Sequence, residues 1–279
     1  MKKGVKMSFI SVLLGTCLTL TGCKVEYKDI AKALDEGDMK TVMAASDDGY
    51  AYVSVGVYRI LEYPKVGEKR DEKKKDEERI DQVTEGIFSI RDHSFYGVTS
   101  QSKSTYTMHY SGGHISDVTD KKEKNVYTTN ISYSNKNIQL STPNVDASLV
   151  TFFFTDLKGL AKVTPEDTRR GMDEPVLVTF KFNKQQFDKI VKPKLHLDYD
   201  EFISAELEMK LNSPNKPNEV VDMSLDIKYK KKVQNQLLSF EDSYAVGFAH
   251  KQDNDKGGKK EYLDYKNKFN EGRESCPST

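Results

Sequence analysis

Three stretches carry side chains of the right types for chemistry. His196-Leu197-Asp198-Tyr199-Asp200 sets His196, Asp198 and Asp200 at alternate positions, on one face if the chain is extended. An imidazole with two carboxylates is part of a divalent-metal ligand set, but no fourth ligand accompanies it, and no metal is assigned. Asp253 to Asp264 follows part of a calcium loop, with acids or glycine at Asp253, Asp255, Gly258, Glu261 and Asp264. It departs where Gly257 stands in place of a ligand and Lys260 in place of an apolar residue, so it is not assigned either. His93, His109, His114, His196 and His250 are scattered. The Gly-rich turn before His114 lacks the strand–nucleophile–helix pattern of a serine elbow, and no Cys/His pair accompanies it. The expectation is a protein without catalytic residues, not an enzyme, and without a cofactor.

The elements that would position any site are legible as periodicities. In "YKDIAKALDEGDMKTVMAAS", from Tyr27, Ile30 and Leu34 share one helical face, and Met39, Val42 and Met43 repeat it beyond Gly37. This predicts two short helices, or one kinked at Gly37. Val53, Val55 and Val57 alternate with smaller and aromatic residues, which predicts a strand over 50–64. Glu68 to Arg79 is an unbroken run of charges in which most pairs three apart are opposite in sign. It reads as a solvated helix or loop. Residues 86–142 read as strands, with "SNKN" turning the chain between two of them. Val145 to Leu157 reads as an apolar helix ended by Gly159, with Phe152, Phe153 and Phe154 widening its stripe.

Val176, Val178, Phe180 and Phe182 then alternate as a strand. Asn183 and Gln186 fit a capping box opening a short helix that Pro193 ends. Ile203 to Leu211 and Val221 to Tyr229 alternate so regularly that they predict an antiparallel hairpin with one buried and one charged face. Leu237 to Phe248 adds a strand. The order of elements predicts an α+β fold: an antiparallel, strongly curved sheet (half-barrel or meander) with N-terminal helices and a few short helices packed on one face. The expected organisation is a signal segment over 1–22, one domain over 23–250, and a polar, loose tail over 251–279.

Composition narrows the class. The 43 basic and 43 acidic side chains balance, and removing Lys2, Lys3 and Lys6 with the signal leaves a slight acidic excess. Nucleic-acid binders need a basic face or stripe, so none is expected. The chain opens on Lys2, Lys3 and Lys6, and then runs apolar from Met7 to Leu20. That suits a secretory h-region of about 7–15 residues and falls short of the ~20 needed to span a membrane.

Leu20-Thr21-Gly22-Cys23 resembles the lipobox of bacterial lipoproteins. The resemblance implies cleavage between Gly22 and Cys23 and a diacylglycerol on the Cys23 thiol. The mature chain would then be held outside the cytoplasm on the cell membrane, since two acyl chains suffice for stable attachment. Cys17 would leave with the signal and Cys23 would be consumed by lipid. Cys276 would remain alone, so no internal disulfide is expected.

"FKFNKQQFDKIV" and the two alternating strands after it, with helices at the start and a long meander, resemble the LolA/LppX-type half-barrel lipoproteins. That resemblance implies a curved sheet around an apolar cavity for acyl chains. Its lining would come from Phe180, Phe182, Leu207, Met209, Leu225 and Ile227, with Phe152, Phe153 and Phe154 as a wall. The same residues could equally touch each other as a filled core. Two functions follow: binding or carrying a lipid or other apolar ligand, or acting as a tethered module that contacts an envelope protein.

Overall fold

The computed structural model describes residues 27–43, 48–63, 74–111, 114–169, 176–211, 220–249 and 258–274. Ten strands form one antiparallel sheet that does not close. They are β1 (Tyr50–Tyr63), β2 (Lys74–Ser89), β3 (Ser94–Ser111), β4 (His114–Ser134), β5 (Asn137–Leu140), β6 (Asp167–Arg169), β7 (Val176–Phe182), β8 (Glu201–Leu211), β9 (Val220–Val233) and β10 (Gln236–Ala249). The helices are α1 (Tyr27–Glu36), α2 (Met39–Val42), α3 (Lys184–Ile190) and α4 (Lys259–Glu274). The class is α+β with an open antiparallel sheet, consistent with curvature.

The spatial order is β5-β4-β3-β2-β1-β10-β9-β8-β7-β6. The chain starts in the middle at β1 and meanders out to β5. It crosses to the far edge at β6, then meanders back until β10 pairs with β1. The crossing segment, 141–166, must therefore traverse the sheet, and it carries the three phenylalanines over one face.

Alternation decides what that face is. Ala51, Val53, Val55 and Val57 of β1 are buried, and their cross-strand partners include Phe88 on β2 and Phe248, Val246 and Tyr244 on β10. The same face continues through Met223, Leu225 and Ile227 to Leu207, Met209 and the β7 residues Val178 and Phe180. Against it lie α1, α2, α3 and the crossing segment, in one contiguous apolar cluster. The opposite face of β8 and β9 presents Glu206, Glu208, Lys210, Asp226 and Lys228, as the hairpin pattern required.

Gly37, at φ 73°, ends α1 in the left-handed conformation that favours glycine. Asp38 then caps α2, accepting from the Lys40 and Thr41 amides at 3.1 and 3.3 Å. At the β4–β5 turn Asn135 and Lys136 both take positive φ, as a two-residue hairpin loop demands.

Three expectations are corrected. The segment 145–157 is not an α-helix. It is irregular, with one 3₁₀ turn at Phe153–Thr155, and a second follows it at Leu160–Lys162. The reason lies in the three consecutive rings, all buried, each with its own partner: Phe152 stacks on Tyr133 at 4.4 Å, Phe153 meets Tyr244 at 6.0 Å, and Phe154 meets Phe248 at 5.4 Å. A helix would turn successive side chains by 100° and leave one of them facing away from the sheet.

The charged run is not a helix where it is described. Residues 74–79 belong to β2, and 68–73 lie outside the described residues. Charges that would pair three apart on a helix pair across strands instead: Lys103 Nζ meets Glu78 at 2.7 Å, and Thr107 donates to Asp76 at 2.6 Å. Pairing with β3 along its whole length, and with β1 from Asp76 on, outweighs the few tenths of a kcal/mol that each helical pair offers.

The tail is not loose over 259–274, which form α4. Tyr262 and Phe269, two helical turns apart, are buried. Phe95 faces the core, so its neighbour Tyr96 points to the other side of the sheet. There it meets Tyr262 at 5.2 Å and Phe269 at 5.8 Å. The sheet thus has a second cover, on the face opposite the other helices. A Cβ on Gly272 would come within 2.9 Å of Ser141 Cβ, so the helix also depends on glycine for its close approach there.

Candidate functional site

A concave, cation-rich surface forms where α1 ends, the crossing segment passes, and α3 lies beside it. The capping box sets the start of α3: the Gln186 amide donates to Asn183 Oδ1 at 2.9 Å, and the Asn183 amide donates to Gln186 Oε1 at 3.0 Å. The helix buries Phe187 and Ile190 and leaves Gln185 and Lys189 outward. Facing it, Gly159 takes φ 106°, and its amide donates to Asp35 Oδ1 at 2.6 Å. A Cβ on Gly159 would stand 3.3 Å from Ile190, so glycine lets the two walls approach.

Between these walls is a cleft of about 530 Å³. Val163, Ile190 and Pro193 are its apolar lining, and Lys158, Lys162, Lys189 and Lys194 surround it. Its acid, Asp35, is already engaged by the Gly159 amide. Lys194 reaches Asp156 at 2.8 Å, and Lys136 reaches the same carboxylate oxygen at 2.5 Å. Partial burial would raise the Asp156 carboxyl, but hydrogen bonds from the two ammonium groups outweigh it and hold the group below its ordinary range. Lys158, Lys162 and Lys189 are exposed and have no ion-pair partner among the described residues.

A wider hollow of about 920 Å³ adjoins this cleft and shares Asp35 and Lys158 with it. The β2–β3 turn adds Arg91, Asp92 and His93, with His93 at φ 46°. Ammonium groups around an apolar lining give this end of the molecule the means to hold a ligand.

The residues singled out by sequence distribute differently. Gly22, Cys23 and Cys276 lie outside the described residues. Phe152, Phe153, Phe154, Phe180, Phe182, Leu207, Met209, Leu225 and Ile227 are brought together, all in the single apolar cluster and 0–5% exposed. The wall of a void wide enough for an acyl chain keeps surface that a water molecule could touch, even when the void is closed. These nine keep almost none, so they pack as core. His196, Asp198 and Asp200 are exposed, and the Asp200 carboxylate accepts from the Lys232 amide at 2.7 Å. No cluster of three metal-ligating side chains occurs among the described residues. Of the calcium-like stretch, 253–257 lie outside the described residues and 259–264 are helical.

Sequence reasoning missed the lysine cleft, because its members come from two segments about thirty residues apart. It also missed a buried ion pair. Arg59 on β1 and Asp242 on β10 meet on the core face, and the hydroxyl of Tyr244 donates to Asp242 Oδ2 at 3.2 Å. Burial would lower the Arg59 guanidinium, but its hydrogen bonds to Asp242 and the charge of that carboxylate outweigh it and raise the group above its ordinary value. Burial, with the Asp242 charge, raises both tyrosine hydroxyls, Tyr229 and Tyr244.

A family described as a domain of unknown function (DUF3952) matches residues 12–126, from inside the N-terminal apolar run to the middle of β4. No curated protein matches the chain. Among the described residues no helix is long and apolar enough to cross a membrane.

Proposed function

We propose that the protein is a lipid-anchored lipoprotein held on the outer side of the cell membrane, and that it is a non-catalytic binding module acting through its surface. The observation that supports the second half is the burial of the described core side chains against one another. The nine side chains that would line an acyl-chain cavity are 0–5% exposed and belong to one core. This favours a tethered module over a carrier with an internal lipid site.

The first half is supported by the sequence Leu20-Thr21-Gly22-Cys23 and by its distance from the fold. Only residues 24–26 separate Cys23 from α1. At about 3.5 Å per extended residue, such a tether would keep the body close to the bilayer. Cys23→Ala tests the anchor. The variant should remain an uncut, unlipidated precursor in cells whose wild-type protein is processed and membrane-bound. A variant that is cleaved normally and still resists a high-salt wash from membranes would overturn the anchor.

A further inference from the structure

The lysine cleft has three properties that together define a ligand class. It is concave, at about 530 Å³, within the range of small-molecule sites. Its lining includes the apolar side chains of Val163, Ile190 and Pro193. Lys158, Lys162 and Lys189, from both walls, carry charges that no carboxylate among the described residues neutralises, while nearby Lys136 and Lys194 share Asp156. Clustered like charges repel, and that repulsion is relieved when an anion sits between them.

We propose that this cleft binds a phosphate group carried on an uncharged stem, with the lysines holding the phosphate and the stem lying on Val163, Ile190 and Pro193. The argument for phosphate over a carboxylate is geometric. Lys158 and Lys162 lie on one wall and Lys189 on the other. An ion with several oxygens pointing in different directions can meet separate ammonium groups at once. The phosphate could belong to a soluble ester or to a lipid headgroup at the membrane surface, and the chemistry at the cleft is the same. The proposal rests on the reading of the body as a surface-binding module and does not require the anchor.

The test uses the chain from residue 24, which contains every described element of the fold. Glycerol phosphate, inorganic phosphate, and vesicles of phosphatidylglycerol or of phosphatidylcholine are titrated at low salt. The wild type is compared with the triple variant K158Q/K162Q/K189Q and with a control that removes the same charge from β4, K121Q/K122Q/K124Q. Circular dichroism and thermal melting establish that each variant is folded. The expected result is that a phosphate probe binds the wild type and control alike, and that the cleft variant weakens about tenfold or more. Binding of glycerol phosphate in solution identifies a soluble ester. Binding confined to phosphatidylglycerol vesicles identifies a headgroup. Equal weakening by both variants would reduce the effect to net charge and overturn the site, as would a wild type that binds none of the four. Either failure is distinct from failure of the surface-module reading, which would appear as an apolar molecule retained in the core.

Discussion

Arg59 and Asp242 sit directly opposite each other on β1 and β10, joined by two hydrogen bonds of 2.7 and 2.6 Å on the core side of the sheet. The carboxylate is fully buried and the arginine side chain 19% exposed. This pair lies at the seam where the last strand closes against the first, so it links the two halves of the meander.

Breaking one side of that pair should cost more than removing both. Asp242→Leu leaves a largely buried guanidinium without its carboxylate, and a loss of about 3–5 kcal/mol is expected. The double variant R59L/D242L should recover much of that loss, because replacing a buried pair with apolar groups is often neutral. Urea unfolding of the two single variants and the double variant checks this. A double variant as unstable as the sum of the singles would contradict it.

Two glycines face each other near the turn end of the β2–β3 pairing, Gly86 and Gly97. A Cβ on either would run into the opposite backbone and come within 2.8 or 2.7 Å of the Phe95 ring. Gly97→Ala should therefore destabilise by about 2 kcal/mol or more. Gly56→Ala, where nothing lies within 4 Å of the new carbon, should stay within about 0.5 kcal/mol. Denaturation midpoints of the two variants, measured side by side, decide the point.

The C-terminal helix should matter for stability in proportion to two side chains. Tyr262 contacts Tyr50 at 5.1 Å and Tyr96 at 5.2 Å, and it shares a 2.7 Å hydrogen bond with Ser94. Tyr262→Ala should cost about 3 kcal/mol. Leu263→Ala, one position along and 43% exposed, should change stability by no more than about 0.5 kcal/mol. Thermal melting separates the two, and equal effects would mean that α4 does not pack as described.

Asp156 sets part of the acid sensitivity. Its folded carboxyl lies below the ordinary value of 3.8 because Lys136 and Lys194 favour the charged form. Its contribution is therefore fully present above that value and is lost as pH falls through the lower folded value. Asp156→Asn should be less stable than wild type at neutral pH, and the difference should shrink below about pH 4. Stability measured at a series of acidic pH values tests the sign. A difference that grows on acidification would contradict it.

Much of the fold was legible because its strands alternate. Val176–Phe182, Glu201–Leu211 and Val220–Val233 have one buried face, and a period of two is hard to mistake there. The Asn183 box was legible because both halves of its reciprocal bond lie within four residues. Phe152 to Phe154 misled, because three adjacent rings read as a wide helical stripe, while the structure gives each ring a different partner across the sheet. Glu68 to Arg79 misled where it is described, because charge spacing says nothing about neighbouring strands. α4 was missed because Tyr262 and Phe269 are its two buried side chains, and the residues between them read as a polar tail. The lysine cleft was not legible at all. Lys158 and Lys162 become neighbours of Lys189 only when Gly159 packs on Ile190.

The most direct test of the account is native mass spectrometry of residues 24–279 exported from a bacterial host, followed by organic extraction of whatever travels with the protein. The account predicts a mass without any apolar ligand, since the side chains that would line a lipid cavity are packed against one another. A stoichiometric lipid whose retention is lost on substituting Phe154 or Phe180 by polar residues, while the fold persists, would contradict it and place the function in the core.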